Sequence, residues 1–171
     1  MLGTILSVRS GLRDKFICGT IAGSTIAKGR NKVAKIYFAH PVNTYGTELE
    51  KELYFRINEA FPRHVIINPN KPQHQDGYKR WRDETGKGMS YFYEEVLPKC
   101  KGIVLLAFRD GKFGAGVVGE ARFMIKRGHL MWEISLQGEL SRLYDIPKER
   151  TLSIEETRLR LRDGDGNTLP Y

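Results

Sequence analysis

A glutamate follows a short run of glycines in Gly114-Ala115-Gly116-Val117-Val118-Gly119-Glu120. Glycines let a ligand approach the backbone closely. A carboxylate in the first turn of a helix is favoured in its ionised form by the positive helix end. An ionised glutamate beside an open glycine wall is what a glycosyl nucleophile needs, with Gly114 and Gly116 as the wall that binds substrate. Glu120 equally fits a structural role, as a favourable charge at the start of a helix. Two groups are candidates to hand a proton to a leaving base: Asp110, in the preceding turn, and His40. His40, Asn43 and Tyr45 form a second polar group that can hydrogen-bond a sugar or stack a base, although Asn and Gly also suit plain turn chemistry.

The same glycines match GxGxxG, with Glu133 19 residues beyond Gly114. A dinucleotide fingerprint would have its first glycine directly after a strand, whereas residues 109–113 intervene here. Glu120 would also compete with a pyrophosphate for the helix N-terminus. The glycines are therefore read as a wall for a smaller ligand.

These residues must be positioned by regular elements. Lys35–Ala39 (KIYFA) reads as a buried strand, closed by His40-Pro41. Thr47 and Glu50 form a capping box, and Leu49, Leu53, Ile57 and Ala60/Phe61 recur at helical spacing, which predicts a helix over 48–61. Val65–Ile67 reads as a second strand. Residues 71–88 read as a polar loop whose Lys71, Lys79, Arg80, Arg82 and Lys87 interleave with Tyr78 and Trp81, either a phosphate-gathering lid or a solvated surface. Ser90 is expected to cap a helix running to about Cys100. Gly102–Phe108 is a continuous apolar run of the kind buried on both faces of a parallel sheet. A helix over 117–127 and a strand over 129–135 follow. A small hairpin is expected around Pro147 in 140–152. Ser153 and Glu156 mark a second capping box, with a helix to about Arg162 or, less strongly signalled, a strand.

The order β-α-β-α-β-α-β over 35–135 predicts an α/β sheet with right-handed crossovers. Ligands in such sheets bind beyond the carboxyl ends of the strands. That rule selects 40–46, 68–88, 109–120 and the turn after Ser135, of which the last is bland.

The strand ending in His40-Pro41, followed by a polar turn and a capped helix, resembles the opening of the nucleoside 2-deoxyribosyltransferases. Phe108-x-Asp110-Gly111, then Gly116-Val-Val-Gly-Glu120, resembles their Asp-Gly and Gly-Thr-x-x-Glu motifs. The resemblance covers about residues 35–135. It implies a flavodoxin-like open parallel sheet of four to five strands flanked by helices, with 136–171 as a small C-terminal appendage. It implies that Glu120 attacks the anomeric carbon, that Asp110 binds or protonates the leaving base, and that the protein is a homo-oligomer. The chain departs from the family's pattern at His40, where glycine is usual, at Val117 for Thr, and at Gly114, where a second Asp is often found. Loss of that acid moves the expectation from deoxyribosyl transfer toward N-glycoside hydrolysis of a nucleoside or nucleotide. The alternative is a nucleotide-binding or TIR-like NAD-cleaving signalling module.

Composition narrows the remaining classes. The 171 residues hold 40% hydrophobic residues and a net charge of +8, which suits a globular chain and not a disordered one. The basicity is concentrated: residues 1–35 carry seven bases against Asp14, leaving the rest of the chain nearly neutral. A nucleic-acid partner would therefore rest on the leader 1–34, which reads as a disordered basic segment, a transit peptide or an extra hairpin. No apolar run approaches the roughly 20 residues of a membrane span. There is no GxxxxGK[ST] and no GxSxG, and Cys18 and Cys100 lack metal-ligand spacing, so no metal or cofactor is expected. Two isolated cysteines suit a cytoplasmic location with reduced thiols.

Overall fold

The structure is a computed structural model that describes residues 33–171. Almost all of the basic leader lies outside the described residues. Within them, five strands form one sheet: β1 (Lys35–Ala39), β2 (Val65–Ile67), β3 (Gly102–Leu106), β4 (Leu130–Ile134) and β5 (Leu140–Leu143). Their order is β2-β1-β3-β4-β5, the flavodoxin-like arrangement. The first four are parallel, and β5 joins β4 antiparallel. β3 lies in the middle and every residue of it is buried, which is why its sequence is unbroken Gly-Ile-Val-Leu-Leu rather than alternating.

The two faces of β1 separate by the period of two. Tyr37 and Ala39 join one core cluster with Ile103, Leu105 and Met131. Ile36 and Phe38 join the other with Val104, Leu106 and Ile134. Helix α1 (Glu48–Ala60) covers the second face through the fully buried Leu53 and Ile57, each stabilising the fold by about 1.5–3 kcal/mol. Helices α2 (Pro72–Thr85) and α3 (Ala115–Ile125), and a helical stretch at 90–99, lie along the first. Helix α4 (Ile154–Leu161) is held by a complete capping box between Ser153 and Glu156.

Several elements differ from the sequence expectation. Residues 72–85 form a helix and not a loop; Pro72 opens it and Gly86, at φ +71°, closes it. The pattern was hidden because Gly77 is its only buried residue. The stretch from Ser90 is helical but irregular: a π-helical turn (Phe92–Val96) passes into a 3-10 turn (Leu97–Lys99) at Pro98, which cannot donate an internal hydrogen bond. Segment 140–152 is not a hairpin on itself; β5 pairs back onto β4 around the turn at Gly138. The 136–171 segment thereby supplies the fifth strand of the sheet. No helix among the described residues is long and apolar enough to cross a membrane.

Candidate functional site

The sheet order reverses between β1 and β3, so the chain leaves their carboxyl ends in opposite directions and opens a crevice. A cavity of about 520 Å³ occupies that end of the sheet. Tyr37 and His40 line it from β1 and its exit, and Gly114, Gly116 and Glu120 line it from α3 and the residue before. Tyr78 of α2 and Phe92 form another side, and Thr157 and Leu161 of α4 a further one. Tyr45 lines it as well.

Among the described residues, Glu120 is the one acidic residue of this lining. With α3 starting at Ala115, it is the sixth helical residue, in the second turn and not the first. The helix end therefore gives it little help, and burial decides its state. It is 6% exposed, and desolvation pushes its carboxyl up to about 8 against the opposing hydrogen bond from Tyr37. The expectation of a carboxylate ionised by the helix end is thus overturned: in the free protein Glu120 is largely protonated at neutral pH. The Tyr37 hydroxyl donates to Oε1 at 2.9 Å, and no other protein group among the described residues bonds this side chain. Burial and the nearby Glu120 also raise the phenols of Tyr37, Tyr45 and Tyr93.

The glycines of α3 do separate work. Gly116 lies one turn before Glu120 on the same helical face, and a Cβ there would meet nothing within 4 Å. It leaves open space beside the carboxyl. Gly119 faces the other way; a Cβ would come within 2.5 Å of the Tyr93 hydroxyl.

A second buried carboxyl lies behind His40. Glu50 accepts from Nε2 of His40 (3.2 Å) and Nδ2 of Asn68 (2.8 Å) on Oε1, and from the Gly46 N–H (2.6 Å) and Asn70 (2.9 Å) on Oε2. Burial opposes its ionisation, but the bonds from His40, Asn68 and Gly46 outweigh it and hold the carboxyl down at about 2. Glu50 thus does not close the capping box expected with Thr47; only the Thr47 half forms. Nδ1 of His40 faces the Phe38 carbonyl at 3.0 Å. Both ring nitrogens therefore point at protein oxygens. The ring stacks on Phe38 with centroids 4.1 Å apart. With both nitrogens engaged, His40 presents the cavity with its ring and not with a free nitrogen.

The other expected site residues are dispersed. Asp110 does not line the cavity; its carboxylate accepts from Arg160 at 2.7 Å. Modest burial works against ionisation there, but Arg160 and the Lys112 N–H lower the carboxyl below its ordinary value. An ionised group held on arginine outside the lining is not placed to protonate a leaving base. Asn43 is buried behind the lining, donating to the Arg160 carbonyl at 3.3 Å with its Oδ1 unpartnered. Glu133 pairs with Arg150, so it serves no ribose.

Three contributors escaped the sequence reading. Tyr37 was legible as core only, yet a phenol in the middle of a buried strand needs a hydrogen-bond partner. Glu50 stands three residues before Leu53 and seven before Ile57, on the inner stripe of α1. The C-terminal wall could not be placed from local pattern: the Ala115 N–H donates to Thr157 Oγ1 at 2.9 Å across 42 residues. Among the described residues no group of three His, Cys, Asp or Glu side chains is placed to hold a metal. Cys100 is buried, its thiol pushed up to about 11 by desolvation; Cys18 lies outside the described residues. Comparison of the chain with protein-family models, with curated proteins and with solved structures finds no match.

Proposed function

We propose that the protein cleaves or transfers the N-glycosidic bond of a nucleoside or nucleotide, in the manner of the nucleoside 2-deoxyribosyltransferase-like enzymes, with Glu120 as nucleophile. The observation that carries this reading is the Tyr37–Glu120 pair: a lone buried carboxyl in the wall of a ligand-sized cavity, with open space at Gly116 beside it. The ionised carboxyl attacks C1′ through Oε2 while Tyr37 keeps its bond to Oε1. The C1′–N bond breaks, its electron pair leaves with the base, and the base takes up a proton from solvent. Water, or a second base, then attacks C1′, the C1′–Oε2 bond breaks to release Glu120, and the proton of the incoming nucleophile passes to solvent. His40, Tyr45 and Tyr78 supply the aromatic surfaces for the substrate.

One observation favours a second reading. Glycosidases of the common kind use two carboxyls, one of them as the acid, and here Asp110 is engaged with Arg160 and both ring nitrogens of His40 are engaged with protein oxygens. A neutral base must gain a proton as it leaves. A base that is cationic while attached, such as the nicotinamide of NAD, leaves neutral and needs none. A cavity with one carboxyl suits that chemistry, that of a TIR-like NAD-cleaving module.

The test is base release by the full chain from a panel of nucleosides, nucleotides and NAD, followed by mass spectrometry, with Glu120→Gln alongside. Loss of release in Glu120→Gln supports the role of Glu120, and the responding substrate decides between the two readings. Undiminished release by the variant, or none by the wild type from any member, ends both.

A further inference from the structure

Helix α2 separates two cavities. Gln75 and Tyr78 face the first, described above, while His74, Arg80 and Trp81 face a second of about 490 Å³. The helix rests on Tyr91 at Gly77, where a Cβ would fall 2.3 Å from the ring. The second cavity runs between α2, the start of β1, Ile67 of β2 and the stretch at 90–99. Neither the resemblance nor the proposed reaction uses it.

Its lining combines two chemistries. Among the described residues, three cations converge on it, Lys35, Arg80 and Lys99, against the single acid Glu95. Glu95 is paired with Lys99 at 2.9 Å. Lys35 and Arg80 have no carboxylate within 4.0 Å among the described residues, and the sequence before residue 33 holds only Asp14 as a possible partner. The charge is felt locally: burial and then Lys35 lower the proton affinity of His74. Between the cations stand half-buried aromatic rings. Trp81 and Tyr91 have centroids 6.2 Å apart at 56°, and the Tyr91 hydroxyl lies 3.1 Å from Nδ1 of His74. The rings supply flat apolar surface, and the two unpaired cations supply charge-assisted donors. A volume of this size holds a ligand of nucleotide dimensions.

We propose that this second cavity is a binding site for an aromatic polyanion, a nucleoside polyphosphate, with its ring against Trp81 and Tyr91 and its phosphates on Lys35 and Arg80. The site is independent of the reaction assigned to Glu120, and it stands or falls separately.

Trp81 is a built-in reporter, since the chain has two tryptophans and the other, Trp132, lies on β4. In the full-length Trp132→Phe variant, titration with adenosine triphosphate is expected to change Trp81 fluorescence saturably. Added salt weakens the binding. The exposed pair Lys35→Glu/Arg80→Glu weakens it about tenfold or more with an unchanged melting temperature. Inorganic pyrophosphate competes but leaves the fluorescence unaltered. Calorimetry on the natural chain with and without the charge reversals gives the same answer should Trp132→Phe fold poorly. The proposal is overturned by absence of saturable binding, by equal affinity in the charge-reversed protein, or by binding lost on Gly116→Leu, which fills the first cavity, and kept in the charge reversals.

Discussion

Glu50 and Glu120 are exposed to nearly the same degree, 4% and 6%, yet they are held in opposite states. Glu50 receives four hydrogen bonds and is ionised down to about 2; Glu120 receives one and keeps its proton to about 8. Burial raises both carboxyls, and Glu120 the more because it lies deeper among protein atoms; the donors to Glu50 outweigh its burial, and the single donor to Glu120 does not. Glu50 is a finished structural centre, in which every donor has its acceptor. Glu120 is an unfinished one, and its open side faces a cavity. The carboxyl proposed as nucleophile differs from the structural one in its unsatisfied bonding capacity and in its deeper burial.

The sharpest way to break this comparison is to remove each carboxyl in turn. Glu50→Ala strands a ring nitrogen of His40, the amides of Asn68 and Asn70 and the Gly46 N–H, and is expected to cost about 3–5 kcal/mol in urea unfolding at pH 7. A loss below about 1 kcal/mol would show that the four bonds to Glu50 carry little. Glu120→Gln is expected to leave the fold intact and to gain stability over the wild type in alkali. The folded wild type binds a proton that the unfolded chain has lost above its ordinary 4.5, so its stability falls from about pH 4.5 to 8 and is level beyond. The variant avoids that loss, about 3–5 kcal/mol above pH 8, at 1.36 kcal/mol per pKa unit.

At the acid end the signs reverse. The contribution of Glu50 is complete above 4.5 and disappears as pH falls toward about 2. Glu50→Gln is expected to flatten this limb by about 3 kcal/mol, read from melting temperature against pH. Tyr37→Phe removes the single donor to Glu120 and is expected to move its titration about one unit further up, seen by carboxyl carbon resonance. An unmoved titration would mean that Tyr37 does not hold the carboxylate. The smallest effect is expected at Asp110→Asn, where loss of the partly exposed pair with Arg160 costs about 1 kcal/mol or less.

The same contrast explains what the sequence disclosed. β1 and β3 were legible because buried strands need runs of apolar residues, and α1 and α4 because their caps are local. Helix α2 carries no apolar stripe, so only Pro72 and Gly86 marked it. Glu120 was legible through its glycines, but its protonation was not, because burial sets it and the surroundings that bury it come from distant elements such as β1, whose Tyr37 is 83 residues away. Glu50 satisfied a local motif and so concealed its long-range bonds to Asn68 and Asn70. Asp110 has the right type and place in the chain, but its partner Arg160 comes from a helix 50 residues on.

The most direct measurement is the pH dependence of base release by the wild type under single-turnover conditions, on whichever panel member responds. With Glu120 as nucleophile, release rises with pH through a value near 8, as the carboxyl loses its proton, and Glu120→Gln abolishes it. Release that falls across that range, or that persists in Glu120→Gln, would contradict the assignment.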